Sequence, residues 1–191
     1  MARQVGVKEY NLSWLYDTIR LTAGQNFTLA NYFTVPRGQV LAGAVNKSFT
    51  HTNLTTSGLL AGIKSFKISS MVMLPQAFLP SQDINLFLEG NAVLFINEKP
   101  YPEYFPLKFF MGGTAWRESV RAPGPVGGND FRAHPGDGRI DNVCKFKGDF
   151  KINIDTLENF RVDLRWDLGY VPVETFDLTL LLYGLAGREV M

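Results

Sequence analysis

An all-β fold is what this sequence predicts, and three observations carry that expectation. Phe160, Val162, Leu164 and Trp166 alternate without a break with Arg161, Asp163, Arg165 and Asp167. Successive side chains of a strand point to opposite faces, so this stretch has one apolar and one charged face. The same period returns in Phe146, Phe150, Ile152 and Ile154 before it, and in Phe176, Leu178, Leu180 and Leu182 after it. Glycine and proline clusters, such as Pro36-Arg37-Gly38 and Pro135-Gly136-Asp137-Gly138, interrupt the apolar runs. Strands that must each bury one face satisfy one another in a packed sandwich or barrel.

The totals bound the rest. A chain of 191 residues suits one all-β domain and buries enough surface to fold without a disulfide or metal. Hydrophobic residues make up 46% and charged residues 19%, a folded and not a disordered balance. Nineteen Lys and Arg face eighteen Asp and Glu, so no basic excess marks a nucleic-acid surface. Cys144 is the only cysteine, which excludes an internal disulfide and reads as a buried, inert thiol. The first residues lack the apolar core of a signal peptide, and no apolar run is long enough for a membrane-spanning helix.

Read in order, residues 1–16 form an N-terminal arm or short first strand, and residues 17–191 form the single domain. Asp17–Thr22 and Asn26–Val35 read as antiparallel neighbours across Ala23-Gly24-Gln25. Gln39–Gly62 is a long loop with one strand around Val40–Phe49. Ile63–Leu74 is a strand with Phe66, Ile68, Val72 and Leu74 on one parity. Ser81 is an N-cap for a short helix through Leu88, and Gly90 takes the left-handed position after it. A hairpin of Ile84–Leu88 with Ala92–Ile96 is the competing reading. Ala92–Asn97 is a strand, Pro100–Pro106 a proline-rich corner, and Leu107–Met111 another strand. Gly112–Asp141 is a second long irregular stretch, of a length usually reserved for function or contact. Val143–Ile154, Asn159–Trp166 and Glu174–Leu185 complete the chain. The last, nearly continuous in leucine, reads as a central strand covered on both faces. Eight or nine antiparallel strands, one short helix and two long loops amount to a single jelly roll.

No catalytic constellation stands out. His51 and His134 fall in polar loops, without the convergent His and carboxylate set that a metal-dependent barrel enzyme needs. No Gly-x-Ser-x-Gly elbow is present. Asp130 and the run Asp137-Gly138-Arg139-Ile140-Asp141-Asn142 gather oxygen ligands beside glycines, as calcium requires, but the same residues are ordinary turn formers. Asp83 with Glu89, and Glu98 with Glu103, are candidate carboxylate pairs of a glycosidase only if a cleft brings them together. Trp166 sits on the inward parity of its strand. Trp116, with Arg117 and Arg121, is the aromatic expected at a surface or interface. Asn53 heads one of several Asn-x-Ser/Thr triplets, read as composition rather than glycosylation.

The run SQDINLFLEGNAVLFINEKPYPEYFPLKFF, then a glycine-rich excursion, then FKGDFKINIDTLENFRVDLRWD and ETFDLTLLLYGL resembles the layout of single-jelly-roll coat proteins. Their family belongs to tailless icosahedral, lipid-containing viruses of bacteria and archaea. The resemblance spans residues 17–185 in strand order and loop placement. It implies a virion shell subunit with no enzymatic activity and no cofactor. Such a subunit is made in a host cytoplasm and assembles with itself and with other virion proteins, over an internal membrane. On that reading the alternating Arg161, Asp163, Arg165 and Asp167 form ion pairs between subunits, a solvated charged face being the other reading, and residues 36–62 and 112–142 are contact loops. The alternative is a carbohydrate- or receptor-binding sandwich of a spike or tail.

Overall fold

The computed structural model describes residues 8–41, 45–60, 65–75, 79–110, 116–121, 130–135, 144–146 and 152–189. Along the chain these form β1 (Lys8–Leu21), β2 (Phe27–Tyr32), the short pair β3 (Val40–Leu41) and β4 (Val45–Asn46), and β5 (Ser65–Pro75). Then come β6 (Leu79–Pro80), α1 (Ser81–Leu88), β7 (Asn91–Ile96), β8 (Lys99–Pro106) and a 3-10 turn at Leu107–Phe109. The remainder comprises β9 (Trp116–Arg121), β10 (Asp130–Pro135), β11 (Cys144–Lys145), β12 (Ile152–Asp155), β13 (Phe160–Tyr170) and β14 (Phe176–Glu189). The fold is all-β with antiparallel pairing, as the alternation predicts.

Two sheets carry the core. One runs β1-β14-β5, with β11 and β12 both pairing along the far edge of β5; the other runs β2-β13-β7-β8. The pairings are nested: β1 with β14, β2 with β13, β5 with β12, β7 with β8. An antiparallel ribbon folded at the β7–β8 turn and wrapped upon itself has that pattern. Met71, Met73, Leu180 and Leu182 from the first sheet share one core with Leu94, Val162, Leu164 and Trp166 from the second. Each such side chain contributes about 1.5–3 kcal/mol by leaving water. The Tyr32 hydroxyl crosses between the layers and donates to the Leu178 carbonyl at 3.3 Å.

Several expectations need correction. The division at residue 16 falls inside a strand, because β1 pairs with β14 continuously from Lys8 to Leu21. β1 and β2 are not hairpin partners: they belong to different sheets. The turn between them is a corner, held where the Gly24 N–H donates to the Pro172 carbonyl at 2.9 Å. In β5, Phe66 and Ile68 point inward, but beyond them Met71 and Met73 are buried while Leu74 is exposed. The cause is a bulge: Ser70 pairs with Tyr183 and Ile68 with Gly184, so Ser69 is extra and the parity flips.

The helix has the predicted bounds, but its N-cap is Pro80 with no side-chain cap, and Glu89 closes it in right-handed geometry. Gly90 serves packing, since a Cβ there would lie 2.4 Å from Trp166 Nε1. The proline-rich corner is strand β8, at the edge of its sheet, where a missing donor can face solvent. Residues 107–109 are a 3-10 turn and not a strand. The stretch 112–141, expected to be irregular, contains the hairpin β9–β10, which also pairs with β6. His134 therefore lies in a strand, opposite Arg117. β14 is central, and its two faces differ: Leu178, Leu180 and Leu182 are buried, while Leu181, Tyr183 and Leu185 on the other face are half-buried.

Candidate functional site

The charged parity of β13 faces outward and gathers on itself. Asp163 is only 2% exposed although it lies on the outer face. Arg161 Nε donates to its Oδ1 at 3.1 Å and Arg165 Nη2 to its Oδ2 at 3.3 Å. Residues two apart on a strand share a face, so the i±2 spacing lets both arginines reach one carboxylate. Phe95 of β7, directly opposite Arg161 in register, lies beneath both guanidiniums at 4.4 and 5.4 Å. Arg161 Nη1 also donates to Glu98 at 2.8 Å, and that bond holds the exposed Glu98 carboxyl below its ordinary range. Both Asp163 oxygens are thus taken within the chain, and what remains for a neighbour is guanidinium surface on a flat aromatic base.

Beside this ladder is a cleft of about 170 Å³ lined by Phe33, Gly58, Phe95, Glu98, Asn159 and Arg161, among others. Its walls are tightly built. Asn97 and Glu98 form the β7–β8 turn with φ of 48° and 66°. Asn97 donates its N–H to the Asn159 carbonyl at 2.8 Å, and its Oδ1 accepts from the Asn159 N–H at 3.1 Å. Gly58 (φ 63°) favours glycine, and a Cβ there would stand 2.8 Å from Asn159 Oδ1 and 3.2 Å from the Phe160 carbonyl oxygen. Ligand pockets usually measure about 300–1,000 Å³. At about 170 Å³ this cleft lies below that range.

The segment 45–60 is tied to β1 by a buried ion pair that no local pattern announces. Lys47 Nζ lies 2.6 Å from Asp17 Oδ1, and neither side chain is more than 1% exposed. Asp17 Oδ2 accepts the N–H of Phe33 at 2.6 Å, a residue held at φ 65°. Burial pushes the Asp17 carboxyl up, opposed by the Lys47 ammonium and by the hydrogen bonds from Lys47, Phe33 and Thr52. Asn53 then copies a strand on the edge of β1: its side chain accepts from the Tyr16 N–H at 3.1 Å and donates to the Trp14 carbonyl at 2.6 Å.

The other candidates separate. Asp83 is buried and accepts the Val173 N–H with both oxygens, at 2.9 and 3.1 Å. Burial raises its carboxyl, against the pull of the Val173 and Glu174 N–H groups. It therefore positions the turn into β14, while Glu89 is exposed at the end of α1. His51 Nδ1 is engaged locally with the Ser48 N–H at 3.1 Å. Trp166 is core, its Nε1 donating to the Phe87 carbonyl at 3.1 Å. Trp116, Arg117 and Arg121 lie in β9, and their side chains are outside the described residues, as are residues 136–143 of the candidate calcium loop.

A second surface is the outer face of the first sheet. Rows of paired residues there read Leu12–Leu185–Lys67, Trp14–Tyr183–Ser70 and Tyr16–Leu181–Val72 across β1, β14 and β5. Tyr10, Leu12 and Trp14 are 53%, 68% and 38% exposed, and the Trp14 ring packs against Tyr183 with centroids 4.4 Å apart. Comparison with family models, with curated proteins and with solved structures finds no match to this chain.

Proposed function

We propose that this chain is a jelly-roll shell subunit of a virus particle, a non-enzymatic protein that assembles with its own copies through barrel and loop contacts. The observation that carries the reading is the nesting of four strand pairs, first with last and so inward to the β7–β8 turn. A ribbon of eight strands wrapped into two facing sheets is the jelly-roll winding, shared by coat proteins and lectin domains. The side-chain surfaces favour the coat role. The cleft, at about 170 Å³, is below the usual range of enclosed ligand pockets, whereas the Arg161–Asp163–Arg165 ladder on Phe95 and the apolar rows on β1 and β14 run along extended sheet surfaces. Near-neutral net charge, +1, lets copies approach without long-range repulsion.

Electron microscopy and sedimentation of the purified chain over a range of concentration and salt test the proposal. Shells, sheets or closed rings are the expected result. A species that stays monomeric under every condition overturns it.

A further inference from the structure

The free side of β1 is half closed and half open. Tyr16 presents both its N–H and its carbonyl to Asn53, and Trp14 presents its carbonyl to the same residue. Backbone groups alternate in direction along an antiparallel strand, so Tyr10 and Leu12 aim theirs the same way. Nothing among the described residues meets them there: the strand's other neighbour is β14, and the isolated bridge on this side is Asp17 to Thr52. An extended edge flanked by exposed Tyr10 and Leu12 is what stable proteins ordinarily cover.

We propose that the open segment Lys8–Ser13 pairs antiparallel with the same segment of a second copy, so that one sheet runs through both subunits. This rests on the reading of the chain as a self-assembling subunit, and it names the contact. The register follows from the free groups. Positions 8, 10 and 12 all find partners in one another only when Tyr10 lies opposite Tyr10 of the other copy. Position 8 then faces 12 and Glu9 faces Asn11, so no like charges are opposed and the pairing is self-complementary about a two-fold axis. The two apolar outer faces, each with Leu12, Trp14 and Tyr183, become one surface. An edge contact of this kind is small beside a standard interface of about 1,600 Å², which suits a subunit that makes several contacts in a shell.

Two variants test it. Leu12→Pro removes a donor that points away from β14, a change an edge strand tolerates. Circular dichroism of this variant should match the wild type, while self-association falls roughly tenfold or more. Tyr10→Cys in a Cys144→Ser background places two cysteines at Cα positions about 5.5 Å apart, within disulfide reach. Oxidation should yield a covalent dimer. If Leu12→Pro assembles as strongly as wild type, or Tyr10→Cys gives no cross-link while the protein assembles, the edge pairing is wrong and the coat reading stands. If the cross-linked dimer forms but nothing larger does, the pairing holds and the coat reading fails. A wild-type chain that never associates removes both.

Discussion

Asp17 illustrates what one residue can hold. On inward parity in β1, opposite Leu180, it should by pattern be apolar. Instead it carries Lys47 and the Phe33 N–H, and through them the path of the loop. Removing one member of a buried pair leaves an uncompensated charge, at a cost of about 3–5 kcal/mol. Asp17→Asn is expected to lower the unfolding free energy by that much, read as a lower denaturant midpoint at unchanged slope. Asp17→Leu with Lys47→Met should cost less than Asp17→Asn, about 1–3 kcal/mol, because an apolar pair replaces both charges and only the Phe33 N–H is left unpaired. Tyr170 gives the opposite case. Its ring stacks on Trp166 at 5.3 Å and meets Phe87 at 5.8 Å, yet its buried hydroxyl has no partner among the described residues. Tyr170→Phe keeps the rings and removes an unsatisfied group that costs about 1–3 kcal/mol. A rise in melting temperature is expected, and a fall would show that the hydroxyl is satisfied.

Among the elements, the β5 bulge decides most. It turns Met71 and Met73 inward and requires Gly184 opposite it, where a Cβ would lie 2.0 Å from the Lys67 carbonyl oxygen. Backbone cannot step aside cheaply, so Gly184→Ala is expected to cost roughly 1–3 kcal/mol or more. Gly187→Ala should be milder: its nearest obstacle is the Ser65 hydroxyl at 2.5 Å, which can rotate away. Guanidinium unfolding of the two variants tests the contrast. The elements were legible where period two ran unbroken, as in β13, and where a helix had clear bounds, as in α1. They were misread where an extra residue flipped parity in β5, and where prolines on β8 looked like a corner. A bulge leaves no compositional mark, and an edge strand accepts prolines that a central strand would reject.

At the scale of the molecule, the first strand closes against the last, so the fold is completed by contacts between residues about as far apart as the chain allows. Topologies dominated by such contacts fold slowly. The alternating residues of β13 were enough to determine that the chain is all-β and that Phe160, Val162, Leu164 and Trp166 line a core, because side-chain period is local. The charged face was equally legible as a face. Its use was not: that Asp163 would be closed between two arginines, that Phe95 would lie under them, and that Glu98 would reach Arg161 follow from the register of β13 on β7. The tertiary structure alone decided the sheet to which each strand belongs, the burial of Asp17 with Lys47, and the half of the β1 edge that no described residue pairs with. Each depends on residues distant in sequence arriving side by side, and no local pattern records that arrival.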